Sequence, residues 1–131
     1  MRDSVAQAIT NMTAKKSSTK SSPTPELGQF IWNELVATNE AVAKKFYAGL
    51  FGWKSEPFGK GVDYTLFKAA KSKDSRGGMM KCRQPGVPSH WLPYIYVADV
   101  DKSVAKAKKL GAQVCVGPLD VPTVGRLAVL T

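Results

Sequence analysis

A short apolar strand that runs through Val-Ala into a capped, lysine-bearing helix ending at glycine occurs twice in this chain. That repeat constrains the fold more than any other feature. The first copy reads Leu35-Val36-Ala37-Thr38-Asn39, then Glu40-Ala41-Val42-Ala43-Lys44; the second reads Tyr96-Val97-Ala98-Asp99, then Asp101-Lys102-Ser103-Val104-Ala105-Lys106. Setting Val36 on Val97 and Val42 on Val104 requires a single inserted residue, at Val100, and the helices then stop at Gly52 and Gly111. A period of about 60 residues is too long for a solenoid unit but suits a domain of two similar halves. Paired halves of this kind make their site in the cleft between them.

A chain of 131 residues has room for one domain. No apolar run approaches the roughly 18–20 residues that cross a bilayer. Met1-Arg2-Asp3-Ser4-Val5 lacks a secretory apolar core, and Asp3 disfavours an organelle transit peptide. Cys82 and Cys115 make no disulfide framework and read as reduced, buried thiols. The Asn11-Met12-Thr13 sequon reads as a chance match. Together these features predict a soluble, cytoplasmic protein with no membrane association. The net charge of +9 raises the question of nucleic acid. The lysines are scattered over helix faces and turns, as at Lys44, Lys45, Lys71, Lys73, Lys106, Lys108 and Lys109, without zinc-finger, RNP-type or helix-turn-helix signatures. Solvated helix faces are the expected role, and nucleic acid is not an expected partner.

Residues 1–26 read as a flexible polar tail. Val5, Ala6, Ala8 and Ile9 suit one or two helical turns, and the Ser/Thr/Lys/Pro-rich run from Thr13 to Pro25 is too polar to bury. The domain is expected over 27–131, in modules of about 28–84 and 88–131. In the first module, Phe30 to Val36 is a predicted strand. Thr38 or Asn39 caps a helix with Val42, Phe46 and Leu50 as its buried stripe, and Gly52 ends it. Strands follow at Trp53–Phe58, Val62–Phe67 and Met79–Cys82, with a polar turn at Lys71–Gly78. In the second, Trp91–Val97 is a strand with Pro93 near its edge or beginning. Val100, Val104, Ala107 and Leu110 line the next helix, and strands follow at Ala112–Val116 and Gly125–Leu130. The fold class is therefore α+β, with two βαβββ modules, the second lacking its last strand.

Three phrases carry a resemblance: Phe46-Tyr47-Ala48-Gly49-Leu50-Phe51-Gly52-Trp53, His90-Trp91-Leu92-Pro93-Tyr94-Ile95-Tyr96-Val97 with Asp99-Val100-Asp101, and Gly125-Arg126-Leu127-Ala128-Val129-Leu130. They resemble the vicinal oxygen chelate superfamily of glyoxalases, bleomycin-resistance proteins and extradiol dioxygenases. The resemblance implies two βαβββ modules forming a curved mixed sheet around a cleft. It also implies, in metal-dependent members, one ligand on the first and one on the last strand of each module. Counting back from Phe46 puts Trp32 at the first of these positions, and Trp offers only an N–H donor. The matching position of the second module falls near Leu92, and the fourth strand offers Met79 and Met80 rather than Glu. The last ligand would belong to a strand missing from this sequence. No metal and no other cofactor is therefore expected, although a divalent metal is the alternative weighed below.

If Trp32 faces the cleft, alternation brings Phe30, Glu34 and Val36 to the same face. Glu34 is then either an acid or base with a raised pKa or a partner for a cationic ligand; the plainer alternative is a carboxylate paired to Arg126 or Lys81, or solvated. His90, the one histidine, is either a proton shuttle or lone ligand or a loop residue bonded to backbone. Tyr94 and Tyr96 share its parity and, with Trp32, form either an aromatic pocket or ordinary packing. Met79 is pocket or core filler. The expected ligand site is thus Trp32, Glu34, Met79, Tyr94 and Tyr96, with Glu34 and His90 as catalytic candidates. The leading expectation is a metal-free, glyoxalase-like protein binding a small planar or aromatic molecule. The alternatives are a divalent-metal-dependent lyase or dioxygenase, with Glu34 and His90 as ligands, and a non-catalytic interaction module. The last strand, ending at Leu130, is left with an unpaired edge, and a homodimer shielding that edge is expected.

Overall fold

The computed structural model describes residues 6–12 and 24–131. Most of the tail expected at 1–26 therefore lies outside the described residues, but Gln7–Thr10 forms a strand, β1. The chain is α+β and divides into two compact units. One is Trp32–Leu92; the other is Pro93–Thr131 with the described residues up to Ile31.

The first unit holds a βαβββ module. Strand β2 (Phe30–Ala37) leads into helix α1 (Glu40–Phe51), followed by β3 (Lys54–Pro57), β4 (Thr65–Lys68) and β5 (Ser75–Lys81). The ladder runs β3-β4-β5-β2, with β5 parallel to β2 and antiparallel to β4. Residue alternation gives the sheet two distinct faces. Leu35, Ala37, Phe67 and Met79 form a buried cluster against which Ala43 and Tyr47 of α1 and Trp53 pack. Leu35, Phe67 and Met79 each contribute roughly 1.5–3 kcal/mol when fully buried.

Two expectations for this module are corrected. The Asn39 side chain accepts from the Val42 N–H, and Gly52 closes the helix at φ 69°, as the sequence predicted. The stripe of Val42, Phe46 and Leu50, however, points outward, with exposures of 62%, 57% and 58%. Periodicity defines a stripe but does not say which stripe faces the sheet. Tyr47 decides it, because its ring stacks on Trp53 at 5.2 Å and meets the edge of Phe67 at 6.1 Å. The second correction concerns Gly77 and Gly78, expected in a turn but lying inside β5. Both are required by close approach. A Cβ at Gly77 would sit 2.9 Å from the Asn33 carbonyl oxygen, and one at Gly78 would overlap the Tyr64 ring.

The second unit repeats the plan with β6 (His90–Tyr96), α2 (Val100–Lys109), β7 (Val114–Val121) and β8 (Gly125–Leu130). Asp99 caps α2 by accepting from the Lys102 N–H. Asp101 in the first turn and Lys106, Lys108 and Lys109 in the last match the helix dipole. Val100 and Val104 are buried with Ile9, Ala128 and Leu130. Leu110, expected in the stripe, is 79% exposed because the helix has ended there.

Within its own segment this module has only three strands, as expected. The fourth position is filled by β1, which pairs parallel to β6 (Ile9 opposite Ile95) and antiparallel to β8 (Ile9 opposite Ala128). In the first module β5 has the same relation to its neighbours, parallel to β2 and antiparallel to β4. The helical turns expected around Val5–Ile9 are thus replaced, over 7–10, by a strand. The β8 edge expected to be open is paired on both sides. Ala8, Ile9 and Thr10 are buried, and the polar residues beside them lock the strand in place. The Gln7 amide donates to the Pro93 carbonyl at 2.8 Å, Thr10 Oγ1 donates to the Arg126 carbonyl at 2.8 Å, and Asn11 Oδ1 accepts from the Arg126 N–H at 2.8 Å. Among the described residues no helix is long and apolar enough to cross a membrane.

Candidate functional site

The β2–β5 register decides which expected site residues share a face. Leu35 lies opposite Met79, and both belong to the core beneath α1. Trp32, Glu34 and Val36 therefore face the other way, in the same face as Gly78 and Met80, which stand opposite Glu34 and Val36. Met79 is a correction: it is fully buried on the helix side and has no place beside Trp32. Met80 is the methionine on the Trp32 face, one residue away from the expected one.

Two residues that sequence reasoning passed over organise this face. The Trp32 indole N–H donates to the Tyr64 hydroxyl at 2.9 Å. The Tyr64 ring lies over Gly78, where any side chain would displace it, and takes the edge of Phe58 at 6.0 Å. The result is an aromatic surface of Trp32, Tyr64 and Phe58 beside Glu34, a carboxylate only 7% exposed. Flat aromatic area, a hydroxyl and a carboxylate together suit a planar molecule with a polar edge. The signal in the sequence was Gly77-Gly78, a glycine pair in a strand that marks close approach.

In the second unit, Ile95 packs into the α2 core, so Tyr94 and Tyr96 stand on the opposite face of β6, with the parity expected. Tyr94 is buried and Tyr96 half-buried. Arg126, considered as a partner for Glu34, is engaged by Asp101 through two bonds of 2.8 and 3.0 Å and by Asp120 at 3.1 Å. The hydrogen bond from Arg126 holds the Asp101 carboxyl below the usual carboxylate range, and the two carboxylates raise the guanidinium in turn.

Comparison with known proteins points the same way as this paired-module fold. The protein CFP32 of Mycobacterium tuberculosis (strain CDC 1551 / Oshkosh), described provisionally as a glyoxylase, is 41% identical over 108 residues. The match covers 81% of this chain and 41% of that protein. CFP32 of Mycobacterium bovis matches to the same extent. DnrV of Streptomyces peucetius, named as an anthracycline biosynthesis protein, is 28% identical over 114 residues, covering 75% of this chain and 41% of its own. The chain belongs to the vicinal oxygen chelate superfamily. It spans about two fifths of the length of these relatives. No protein-family model matches it.

For a vicinal oxygen chelate protein the first question is whether its residues fit a divalent metal. They do not fit at the family positions. Trp32 has no lone pair to give and its N–H is committed to Tyr64; Leu92 is a buried apolar residue; Met79 is in the core. Among the described residues no group of three or more His, Cys, Asp and Glu side chains is placed to hold a metal. His90 lies at the start of β6, half-buried, with Nδ1 2.8 Å from the Pro88 carbonyl oxygen. A carbonyl only accepts, so Nδ1 carries a proton. The bond to backbone is the one the sequence allowed, but His90 makes it from the first position of a strand rather than from a loop. Cys82 is half-buried and Cys115 exposed, not buried as expected, and both are free.

Proposed function

We propose that this chain is a glyoxalase-like module that binds a small planar or aromatic molecule without a metal, on the face that carries Trp32, Tyr64 and Glu34. The observation that carries the reading is the Trp32–Tyr64 hydrogen bond at the position where metal-dependent members would hold a ligand. A donor already spoken for makes this a surface for stacking, with Glu34 selecting charge. The names of the relatives support the class: CFP32 is described as a glyoxylase, and DnrV is named for anthracyclines, which carry planar fused rings. Screening planar aromatic cations and neutral quinones by tryptophan fluorescence tests it. At least one compound is expected to bind saturably, to lose affinity in Trp32→Leu, and to lose its charge preference in Glu34→Gln. Binding that is indifferent to both substitutions would overturn the reading.

A cytoplasmic location and a homodimer belong to the same proposal. The reason for a dimer is no longer an open β8 edge but the outer face of α1, where Val42, Phe46, Leu50 and Phe51 are all more than half exposed. Phe46 lies midway between Val42 and Leu50, so an antiparallel copy of α1 would set Val42 against Leu50 about a dyad at Phe46. A monomer at micromolar concentration in analytical ultracentrifugation would remove this part.

A further inference from the structure

On the helix side of the first module's sheet, away from the Trp32 face, lies a cavity of about 350 Å³ that the expected site did not include. Its aromatic lining is Trp53, Phe67 and Trp91. These rings are held by one another rather than by a ligand. Trp53 stacks on Tyr47, lies 5.4 Å from Phe67 and is edge-on to Trp91 at 6.1 Å, and the Trp91 indole N–H donates to the Tyr47 hydroxyl at 3.0 Å. A pre-formed aromatic wall loses little entropy on binding. The volume is at the lower end of the roughly 300–1,000 Å³ typical of small-molecule sites and suits one or two fused rings.

The polar lining carries charges of both signs, Lys68 and Arg76 against Asp74. Phe67 pairs with Gly77 but Lys68 pairs with Ser75, so Arg76 is the extra residue of a β-bulge. A bulge re-aims a side chain, and Arg76 lines the cavity together with Gly77 although neighbouring strand residues ordinarily alternate. The Lys68 ammonium is paired with Glu56, whereas Arg76 makes no ion pair among the described residues. Arg76 is thus the uncommitted cation beside the aromatic wall, with the planar fork that matches a carboxylate. Asp74 lines the same cavity on a turn fixed by Ser72, whose Oγ donates to the Asp74 carbonyl at 2.9 Å. Its carboxylate opposes a second negative charge on a ligand.

We propose that this cavity is a separate binding site for a planar aromatic monocarboxylate, with the rings against Trp53, Phe67 and Trp91 and the carboxylate on the Arg76 guanidinium. The site does not depend on the Trp32 face, because the two lie on opposite faces of one sheet. Calorimetric titration of the full chain with 2-naphthoate, 2-naphthylmethanol, 2-naphthylmethylamine and 2-naphthyl phosphate tests it. The expected order places 2-naphthoate first. Arg76→Gln should weaken it about tenfold or more, the worth of a charge-assisted pair, and Arg76→Lys less than that. Trp32→Leu should leave it unchanged, and Asp74→Asn should improve binding of the phosphate dianion. Equal binding of the alcohol or amine, an affinity unchanged in Arg76→Gln, or loss of naphthoate binding in Trp32→Leu would each overturn the proposal. The last result would assign the probe to the Trp32 face instead.

Discussion

Helix α1 and helix α2 both follow the first strand of a module, and both begin at an N-cap whose side chain accepts from the N–H three residues on. Counted from those caps, Asn39 and Asp99, three inward positions coincide, Glu40 with Val100, Ala43 with Ser103 and Tyr47 with Ala107, all buried or half-buried, and α2 buries one more, Val104, whose counterpart Lys44 is exposed. Their outward positions differ in kind. Val42 and Phe46 of α1 correspond to Lys102 and Lys106 of α2, and all four are exposed. The fold therefore fixes which positions turn inward and leaves the outer face to other pressures. It also follows that Val42 and Val104 are not equivalent, although the repeat in the sequence invites that match. The cap aligns Val42 with Lys102, and Val104 with Lys44.

The strongest way to break this equivalence is at the position five residues past each cap. Val104 is 5% exposed, so Val104→Asp buries an unpaired carboxylate and is expected to cost about 3 kcal/mol or more in urea unfolding. Lys44→Asp, at the matching exposed position, is expected to stay within about 0.5 kcal/mol. Similar costs would show that the two helices bury this position alike. The caps themselves come next. Asn39→Ala and Asp99→Ala are each expected to cost about 1 kcal/mol, since each removes the same hydrogen bond. A large difference between them would mean that one helix start is held by something other than its cap.

The outer faces separate stability from association. Phe46→Lys, which gives α1 the α2 residue, should move stability by no more than about 0.5 kcal/mol and abolish any self-association seen in ultracentrifugation. A smaller difference lies in acid. Asp101 has its carboxyl lowered by the Arg126 hydrogen bond, and the matching α1 position is Ala41. A lowered carboxylate stabilises the fold above the ordinary aspartate range of about 3.9 and loses that contribution as pH falls through its lower native value. Asp101→Asn should therefore flatten the decline of melting temperature below about pH 4, and an unchanged profile would show that solvent screens the pair.

What was readable in the sequence were features whose cause is local. The caps at Asn39 and Asp99 and the left-handed Gly52 follow from side-chain chemistry at single positions. The module plan followed from the repeat. What was not readable depends on partners far along the chain. Gln7-Ala8-Ile9-Thr10 is too short to distinguish a strand from a helical turn, and only pairing with β6 and β8 makes it one. The inward anchor Tyr47 is defined by Trp53, Phe67 and Trp91, not by spacing within α1. For the site, strand parity correctly put Trp32 and Glu34 on one face. The Tyr64 partner comes from another strand's approach, and Met79 failed because the register of β5 could not be counted through an expected turn.

Metal content separates a stacking face from a metal centre at Trp32 most directly. The purified chain should be loaded with zinc, nickel, manganese and iron(II) in turn, desalted, and analysed for bound metal beside His90→Ala and Glu34→Ala. A face built on a committed Trp32 predicts far less than stoichiometric metal in all three proteins. A stoichiometric metal in the unmodified chain that is lost in either variant would contradict it and restore a metal-dependent reaction.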